Sequence, residues 1–169
     1  MKKVFTGATV FIALILFAGC LKNNDDQGFE QQCNYDSCAV KAPASEIQAV
    51  QQYLTDSSLT ATQHCSGLFY RVETEGTGER PNPCSYVTVK YKGKLTNGTA
   101  FDSTATGAAY SNYLANLIRG WVNGVPYVKE GGKIHLYIPP SLGYGSQGSS
   151  AIPANSILIF EVELVDVQG

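Results

Sequence analysis

The sequence predicts an α+β domain in which an antiparallel sheet packs against one short helix. Two observations lead to this prediction: apolar and polar residues alternate in several short segments after residue 66, and only one stretch among them has helical spacing. Alternation with a period of two buries one face of a strand and leaves the other in solvent, as is typical of antiparallel sheets. Such a sheet needs a cover on its apolar face, which the short helix would supply.

The chain begins with the pattern of a secretory signal. Met1 and two lysines precede an apolar run, residues 4–18, which is shorter than the ~20 residues needed to cross a bilayer. The run ends in Phe17-Ala18-Gly19-Cys20, which resembles the lipobox of bacterial lipoproteins, although leucine is usual where Phe17 stands. We expect residues 1–19 to be removed and Cys20 to carry the lipid. An ordinary secretory signal with a chance cysteine and an uncleaved anchor are the alternatives.

Residues 20–42 are polar, lack apolar periodicity and are predicted to form a lipid-anchored tether. Their first part, Leu-Lys-Asn-Asn-Asp-Asp at 21–26, is similar to the tether signals of surface lipoproteins of Bacteroidetes-type bacteria, although any flexible linker has such a composition. An acylated cysteine anchors a protein to a membrane surface without spanning it. We therefore expect the protein in the cell envelope, on the periplasmic or the surface face of the outer membrane.

Residues 43–65 are predicted to form a leader that contains an amphipathic helix over 46–56. Ser45 precedes the apolar positions of this helix and is expected to cap the amide of Gln48. An isolated helix of this length is marginal in water. Its apolar stripe must therefore dock either on the domain that follows or on a second copy of the chain, and the sequence leaves both open.

Besides the lipid-attached cysteine, the chain has an even number of cysteines: Cys33, Cys38, Cys65 and Cys84. In an oxidising compartment these are expected to form disulfides. Three pairings are possible, and closeness along the chain favours Cys33 with Cys38 and Cys65 with Cys84. A zinc site that includes His64 is the alternative, but the spacing is a poor zinc signature, and no metal is predicted.

The domain from 66 to 169 provides the sheet. Its alternating segments are residues 68–72, 87–95, 134–138 and 157–167. Asn97-Gly98 is the dipeptide of a tight hairpin that returns the chain through Phe101 and Asp102. The helical spacing covers residues 114–119 and is predicted to end at Gly120.

Charge and motifs exclude several classes of function. Lys and Arg number 12 against 14 Asp and Glu, and no basic stripe provides a footprint for nucleic acid. The G-x-G-x-x-G pattern at 143–148 follows two prolines and leads into a strand, so it is not a dinucleotide site. The chain shows neither a Ser-His-Asp motif nor a close carboxylate pair, which argues against covalent and acid–base catalysis. Its aromatic residues next to glycine loops favour core packing over an apolar pocket on composition alone.

Five blocks carry a resemblance to a known family. They are VTVKYKGKLTNGTAFDS (87–103), LIRGW (117–121), EGGK (130–133), YIPPSLGYG (137–145) and IPANSILIFEVEL (152–164). In this order and spacing, over roughly 100 residues, they are similar to the FKBP-type peptidyl-prolyl isomerases. The resemblance implies a sheet of five or six antiparallel strands wrapped around a short helix, with a catalytic site that needs no cofactor.

The resemblance also implies a prolyl pocket and the role of each residue in it. Trp121 would form the floor, Tyr91, Phe101 and Phe160 the walls, and Leu117 and Ile118 the rim. Asp102 would be the pocket carboxylate, the Tyr144 hydroxyl and the Ile118 amide would donate to substrate carbonyls, and Ile152 would close the pocket from above. The segment 107–113 departs from the family pattern, and either Tyr110 or Tyr113 would supply its aromatic ring.

The implied partners are Xaa-Pro segments of exported proteins, and macrolide inhibitors are further implied ligands. The implied activity is isomerisation of prolyl bonds during folding. A binding module or holdase that grips proline segments without turnover is the alternative from another class. The third possible function is that of a structural lipoprotein that self-associates through the leader helix.

Overall fold

The computed structural model describes residues 33–168, which contain two α-helices and seven strands. The helices are α1 (Ala44–Asp56) and α2 (Arg119–Gly124), and the strands are β1 (Thr62–Gln63), β2 (Phe69–Thr74), β3 (Tyr86–Leu95), β4 (Ala100–Ser103), β5 (Tyr110–Tyr113), β6 (Lys133–Ile138) and β7 (Leu158–Gln168). Neither of these described helices is long and apolar enough to cross a bilayer. The predicted signal, the lipid-attachment residue Cys20 and the tether up to residue 32 lie outside the described residues.

The strands form one antiparallel sheet in the spatial order β1-β2-β6-β7-β3-β4. β3 pairs with β7 along its whole length, from Tyr86 opposite Gln168 to Leu95 opposite Leu158. The other edge of β3 is shared, because β5 pairs with its first half and β4 with its second half. The predicted α+β class and antiparallel sheet are confirmed, and the strand count of seven includes the two-residue β1.

The inner face of the sheet wraps around α2 and forms the main core. Leu136 and Ile138 of β6 and Val162 of β7 are completely buried there, together with Leu68 and Leu142. The alternation in the sequence accounts for this face, since residues two apart on a strand point to the same side. The core therefore lies directly beneath the helix that carries Trp121.

The short helix begins later than the sequence indicated. A 3-10 turn spans Leu114–Asn116, Leu117 and Ile118 are extended, and α2 runs through Gly120 instead of ending there. A Cβ atom on Gly120 would lie 2.5 Å from the Ile138 side chain. The glycine is thus needed for close packing of the helix on the sheet. The prediction had interpreted it as the end of the helix.

The leader helix α1 packs on the outer face of the same sheet. Val50 and Leu54 are buried against Phe69, Tyr137 and Ile159, which belong to three neighbouring strands. Of the two docking partners that the sequence left open, the structure therefore has the helix on its own domain. The positions of the domain boundaries at 43 and 66 stay predictions.

The predicted cap at the start of α1 is wrong. The N-cap residue is Pro43, and no side chain caps the helix. The Pro43 carbonyl accepts the amides of Glu46 and Ile47, so the helix already begins at Ala44 and includes Ser45. The Glu46 carboxylate instead accepts a hydrogen bond from the Ser141 amide at 2.9 Å.

The favoured disulfide pairing is also wrong. The structure joins Cys33 to Cys84 and Cys38 to Cys65, with Cα–Cα distances of 5.8 and 5.5 Å. Both bonds fasten the segment 33–42 to the domain, where the Ala42 amide also donates to the Ser66 carbonyl. Closeness along the chain was misleading because this contact places residue 38 beside residue 65.

Candidate active site

Aromatic side chains from four strands and one helix form a box on the inner face of the sheet. The Trp121 ring on α2 meets Tyr91 of β3 edge-on at 5.3 Å between centroids and Phe160 of β7 at 5.2 Å. Phe101 of β4 meets Phe160 at 5.4 Å, again edge-on. Such edge-to-face contacts are the favoured arrangement of aromatic rings. We call this set, with Tyr110, the aromatic box.

Gly93 makes room for two walls of the box. It lies in the middle of β3, where a Cβ atom would be 2.6 Å from Phe101 and 2.8 Å from Phe160. Atoms at those distances overlap, so only glycine lets both rings occupy their present positions. A glycine inside a strand often marks a close approach of this kind, and that signal was present in the sequence.

One hydrogen-bonded pair brings charge to the box. The Tyr91 hydroxyl donates to the Asp102 carboxylate at 2.6 Å, within the range of charge-assisted bonds. Burial, followed by this hydrogen bond and the charge on Asp102, raises the pKa of Tyr91 well above its ordinary value. The Tyr91 hydroxyl therefore stays protonated and holds Asp102 at the edge of the apolar rings.

Four further predicted pocket residues come from two loops, the one directly before α2 and the one from residue 143 to residue 157. Leu117 and Ile118 are partly buried against the main core at the start of α2, and Ile152 is buried in that core. A pair of backbone hydrogen bonds between Ser149 and Ile152 fixes the last of these loops. Tyr144 is 42% exposed, and its influence is the smallest of those that raise the pKa of Tyr91.

Two N–H groups at the box have no acceptor within residues 33–168. The Trp121 indole nitrogen is buried without a partner. The Ile118 amide precedes the first turn of α2, and no hydrogen bond within the described part of the chain uses it as a donor. Buried donors normally find an acceptor, so both are available to a ligand carbonyl.

The structure shows which tyrosine of segment 107–113 lies at the aromatic box. The Tyr110 ring meets Tyr91 at 6.2 Å and lies at the box, whereas Tyr113 packs against Tyr86 and is 53% exposed. Tyr110 is therefore the aromatic residue of this segment that reaches the site. Of the nine predicted pocket residues, ring contacts and one hydrogen bond join Tyr91, Phe101, Asp102, Trp121 and Phe160. The roles of all nine residues stay predictions.

Within residues 33–168, one group of side chains has the composition of a metal site: Cys38, His64 and Cys65, whose ligand atoms lie within 4.8 Å of one another. Its two sulfur atoms are joined in a disulfide and offer no thiolate. Burial lowers the pKa of His64, whose Nδ1 lies 2.8 Å from the Ser66 hydroxyl. Cys38 precedes α1, His64 and Cys65 follow it, and the group has no part in the aromatic box.

The family model and the similar proteins indicate the same family for this chain. Residues 77–165 match the family model described as FKBP-type peptidyl-prolyl cis-trans isomerase. The chain is 50% identical over 106 residues to the FKBP-type peptidyl-prolyl cis-trans isomerase FkpA of Buchnera aphidicola subsp. Schizaphis graminum, a match that covers 62% of this chain and 42% of the relative. The chain therefore spans less than half the length of that curated relative.

Two solved structures are similar to the fold. The crystal structure of FkpA from Escherichia coli has a TM-score of 0.67 at 40% identity, covering 74% of this chain and 60% of that one. The peptidyl-prolyl cis-trans isomerase of Pseudomonas syringae pv. tomato has a TM-score of 0.65 at 27% identity, covering 77% of this chain and 99% of that one. The family match includes every residue of the aromatic box.

Proposed function

The chain belongs to the FKBP-type peptidyl-prolyl cis-trans isomerase family, and on this premise we propose that it catalyses rotation about Xaa-Pro bonds of polypeptides. The single observation that carries the proposal is the aromatic box, an apolar site with a buried Trp121 floor and one anchored carboxylate, Asp102. The proposed substrates are proline-containing segments of exported proteins during folding.

The reaction breaks no covalent bond, which suits a site without a nucleophile. Partial double-bond character of the prolyl C–N bond gives a rotation barrier of about 18–20 kcal/mol. Transfer of the amide from water to an apolar box disfavours its charge-separated resonance form and so weakens that double-bond character. A box that fits the twisted amide better than either planar isomer lowers the barrier further.

Polar groups around the box hold the peptide while the bond turns. The family resemblance assigns the Tyr144 hydroxyl and the Ile118 amide as donors to the carbonyls that flank the proline, and both residues lie outside the regular strands, with Tyr144 exposed and Ile118 directly before α2. The Trp121 indole N–H is a third donor, at the floor. The Asp102 carboxylate, held by the Tyr91 hydroxyl, gives the edge of the box one negative charge in a fixed position.

The activity is tested by following cis-to-trans isomerisation of a short Xaa-Pro peptide with the purified protein. Tyr144→Phe, which removes one donor, is expected to lower kcat/KM by about three- to tenfold. Tyr113→Phe is the matched control, because this exposed tyrosine lies outside the box. Equal activities of both variants and the wild type would contradict the assigned role of Tyr144.

A Trp121→Leu variant separates turnover from binding. If catalysis is the function, isomerisation is expected to fall by much more than the affinity for a proline-containing client. If both fall equally, or if the wild type binds clients without accelerating isomerisation, the holdase is the better account. Circular dichroism on the same sample shows whether the variant is folded.

We also propose that the protein is a lipoprotein of the outer membrane. The support is the apolar run at 4–18 followed by Ala18-Gly19-Cys20. Cys20→Ser is expected to move the protein from the membrane to the soluble fraction and to abolish incorporation of a labelled fatty acid. Unchanged fractionation would contradict lipid attachment.

Macrolide inhibitors are proposed as further ligands of the aromatic box, on the strength of the family resemblance. The small side chains of Ser149 and Ser150 stand in the loop where the family often carries a bulkier group, and this departure argues for a weaker macrolide affinity than the family pattern implies. Competition between a macrolide and a proline peptide in the isomerase assay tests this proposal.

A further inference from the structure

A cavity lies on the outer face of the sheet and borders the aromatic box at Gly93 and Asp102. Its volume is about 410 Å³, within the ~300–1,000 Å³ range of ligand sites. One side is apolar and the other is charged. The apolar side consists of Tyr53, Leu59, Tyr137 and Ile159, the charged side of Arg71, Lys92, Lys94, His135 and Glu161, and the rim of Gly93, Gly98, Ala100, Asp102 and Ser103. We call this cavity the outer groove.

The groove exists because α1 covers only part of the outer face. The Tyr53 ring on α1 lies 6.4 Å from the Tyr137 ring and forms the last part of the covering layer. Beyond it, the strand register places Arg71, His135 and Glu161 side by side across three strands, with Lys92 opposite Glu161. The outer groove therefore lies at the boundary between the part of the outer face that α1 covers and the part that is exposed to solvent.

Three cations of the groove make no ion pair with the described residues, and two carboxylates, Glu161 and Asp102, line the same cavity. In the part of the chain that the structure describes, Arg71, Lys92 and Lys94 have no ion pair. The adjacent row differs, because Glu163 lies between Lys90 and Lys133 and pairs with both, at 3.9 and 3.5 Å. His135 is committed to Glu73 at 2.7 Å. With Arg71, Lys92 and Lys94 against Asp102 and Glu161, the lining keeps an excess of positive charge next to an apolar wall, which favours a carboxylate ligand.

Arg71 provides the most specific of these contacts. Its Nε atom is buried and has no hydrogen-bond partner within residues 33–168. A buried donor without a partner costs free energy that an acceptor in the groove would recover. The planar guanidinium group matches a carboxylate in geometry as well as in charge.

The position of the groove favours a polypeptide over a small acid. It extends to Ala100 and Ser103 of β4, which is the edge strand of the sheet. The free side of an edge strand presents backbone groups that an extended chain can pair with. Asp102 on the rim also holds Tyr91 in the aromatic box, so the groove and the box approach each other around β4.

We propose that the outer groove binds an extended segment of the polypeptide client that carries an apolar side chain next to a carboxylate. The apolar side chain would lie against Tyr137 and Ile159, and the carboxylate would accept hydrogen bonds from Arg71. This inference rests on the proposed function only in taking the client to be a polypeptide. The segment itself needs no proline.

The test uses a proline-free peptide, Ac-Gly-Ser-Phe-Glu-Leu-Ser-Gly-NH2, in calorimetric titrations with the purified protein. A control peptide replaces its glutamate by glutamine and is expected to bind about tenfold more weakly. In ¹⁵N-labelled protein, the acidic peptide is expected to shift the amide signals of Arg71, His135 and Glu161. Shifts confined to Trp121 and its neighbours would place the peptide in the aromatic box and overturn the proposal.

Arg71→Gln is expected to lower the affinity for the acidic peptide about tenfold. Lys90→Gln is the matched control, since it removes a cation from the same face but outside the groove, and it should change the affinity by less than about twofold. Lys92→Gln, at an exposed position where misfolding is not a concern, is expected to weaken binding about two- to fivefold. Equal affinities of wild type, Arg71→Gln and Lys92→Gln would refute the site.

Two further results would count against the proposal. The first is equal affinity for the glutamate peptide and the glutamine peptide, which would show that the carboxylate is not recognised. The second is binding of 3-phenylpropionate as tightly as the peptide, which would indicate a small-acid site. Isomerisation of a neutral Xaa-Pro tetrapeptide should be the same in Arg71→Gln and wild type. If wild type lacks that activity, the proposed function fails, while the proline-free titration still decides the groove.

Discussion

Replacing Gly93 by alanine tests whether the packing of the aromatic box sets the activity. The added Cβ atom would lie 2.6 and 2.7 Å from two Phe101 ring atoms and 2.8 Å from Phe160. Restoring ordinary contact requires the Phe101 ring to move by roughly 0.8 Å. Overpacking of this size destabilises a core by about 1–3 kcal/mol, and a ~1 Å displacement in a catalytic site costs up to about 100-fold in rate.

We therefore expect Gly93→Ala to lower kcat/KM for a Xaa-Pro peptide by about 10- to 100-fold in a protein that remains folded. Urea unfolding of the same sample measures the loss of stability separately. Gly78→Ala is the matched control, because its Cβ atom would meet only the Glu130 side chain, far from the box along the chain. A Gly93→Ala activity within about twofold of wild type would refute the claim that these two rings shape the site.

Three further predictions concern the rest of the domain. Leu54→Ala should lower the free energy of unfolding by about 2–4 kcal/mol, because Leu54 of α1 is buried against the sheet, and urea unfolding measures this loss. An unchanged midpoint would mean that α1 is not docked. Peptide mapping should recover Cys33 joined to Cys84, and recovery of a Cys33–Cys38 peptide would contradict the structure. Replacing Cys33 and Cys84 by serine should lower the free energy of unfolding by about 2–4 kcal/mol. Burial lowers the pKa of His64 from 6.5, so the unfolded chain binds a proton more readily than the folded one, and the free energy of unfolding decreases as the pH falls below about 6.5. His64→Gln should flatten this part of the plot of unfolding free energy against pH. An unchanged plot would assign the loss of stability to other groups.

The strands and the pocket were predictable because their signals are local in the sequence. Alternation along 87–95 and 157–167 directly reports which side chains face the core, and β3 and β7 follow it closely. The predicted pocket residues lie in blocks that resemble one family, and the family fold is confirmed. The aromatic rings among them meet in the structure, and their catalytic roles stay predictions. Gly93 carried a readable signal as a glycine inside a strand, and its role needed the positions of the two rings.

The errors concern contacts between segments that are distant in the sequence. The apolar stripe of α1 shows that the helix has a partner but not which one, and the same holds for the pairing of four cysteines. Gly120 illustrates a different limit, since a glycine that ends a helix and a glycine that lets a helix approach a sheet look alike in one sequence. The outer groove, formed between α1 and the sheet, left no pattern in the sequence at all.

The most direct test of the central claim is the isomerisation rate of a Xaa-Pro peptide with the wild type and with a variant that combines Asp102→Ala and Tyr144→Phe. We expect an acceleration that is proportional to the wild-type concentration and that the double variant loses while it remains folded. Acceleration by the folded double variant at the wild-type rate would place the catalysis elsewhere. A folded wild type with both disulfides intact and no acceleration would contradict the isomerase account.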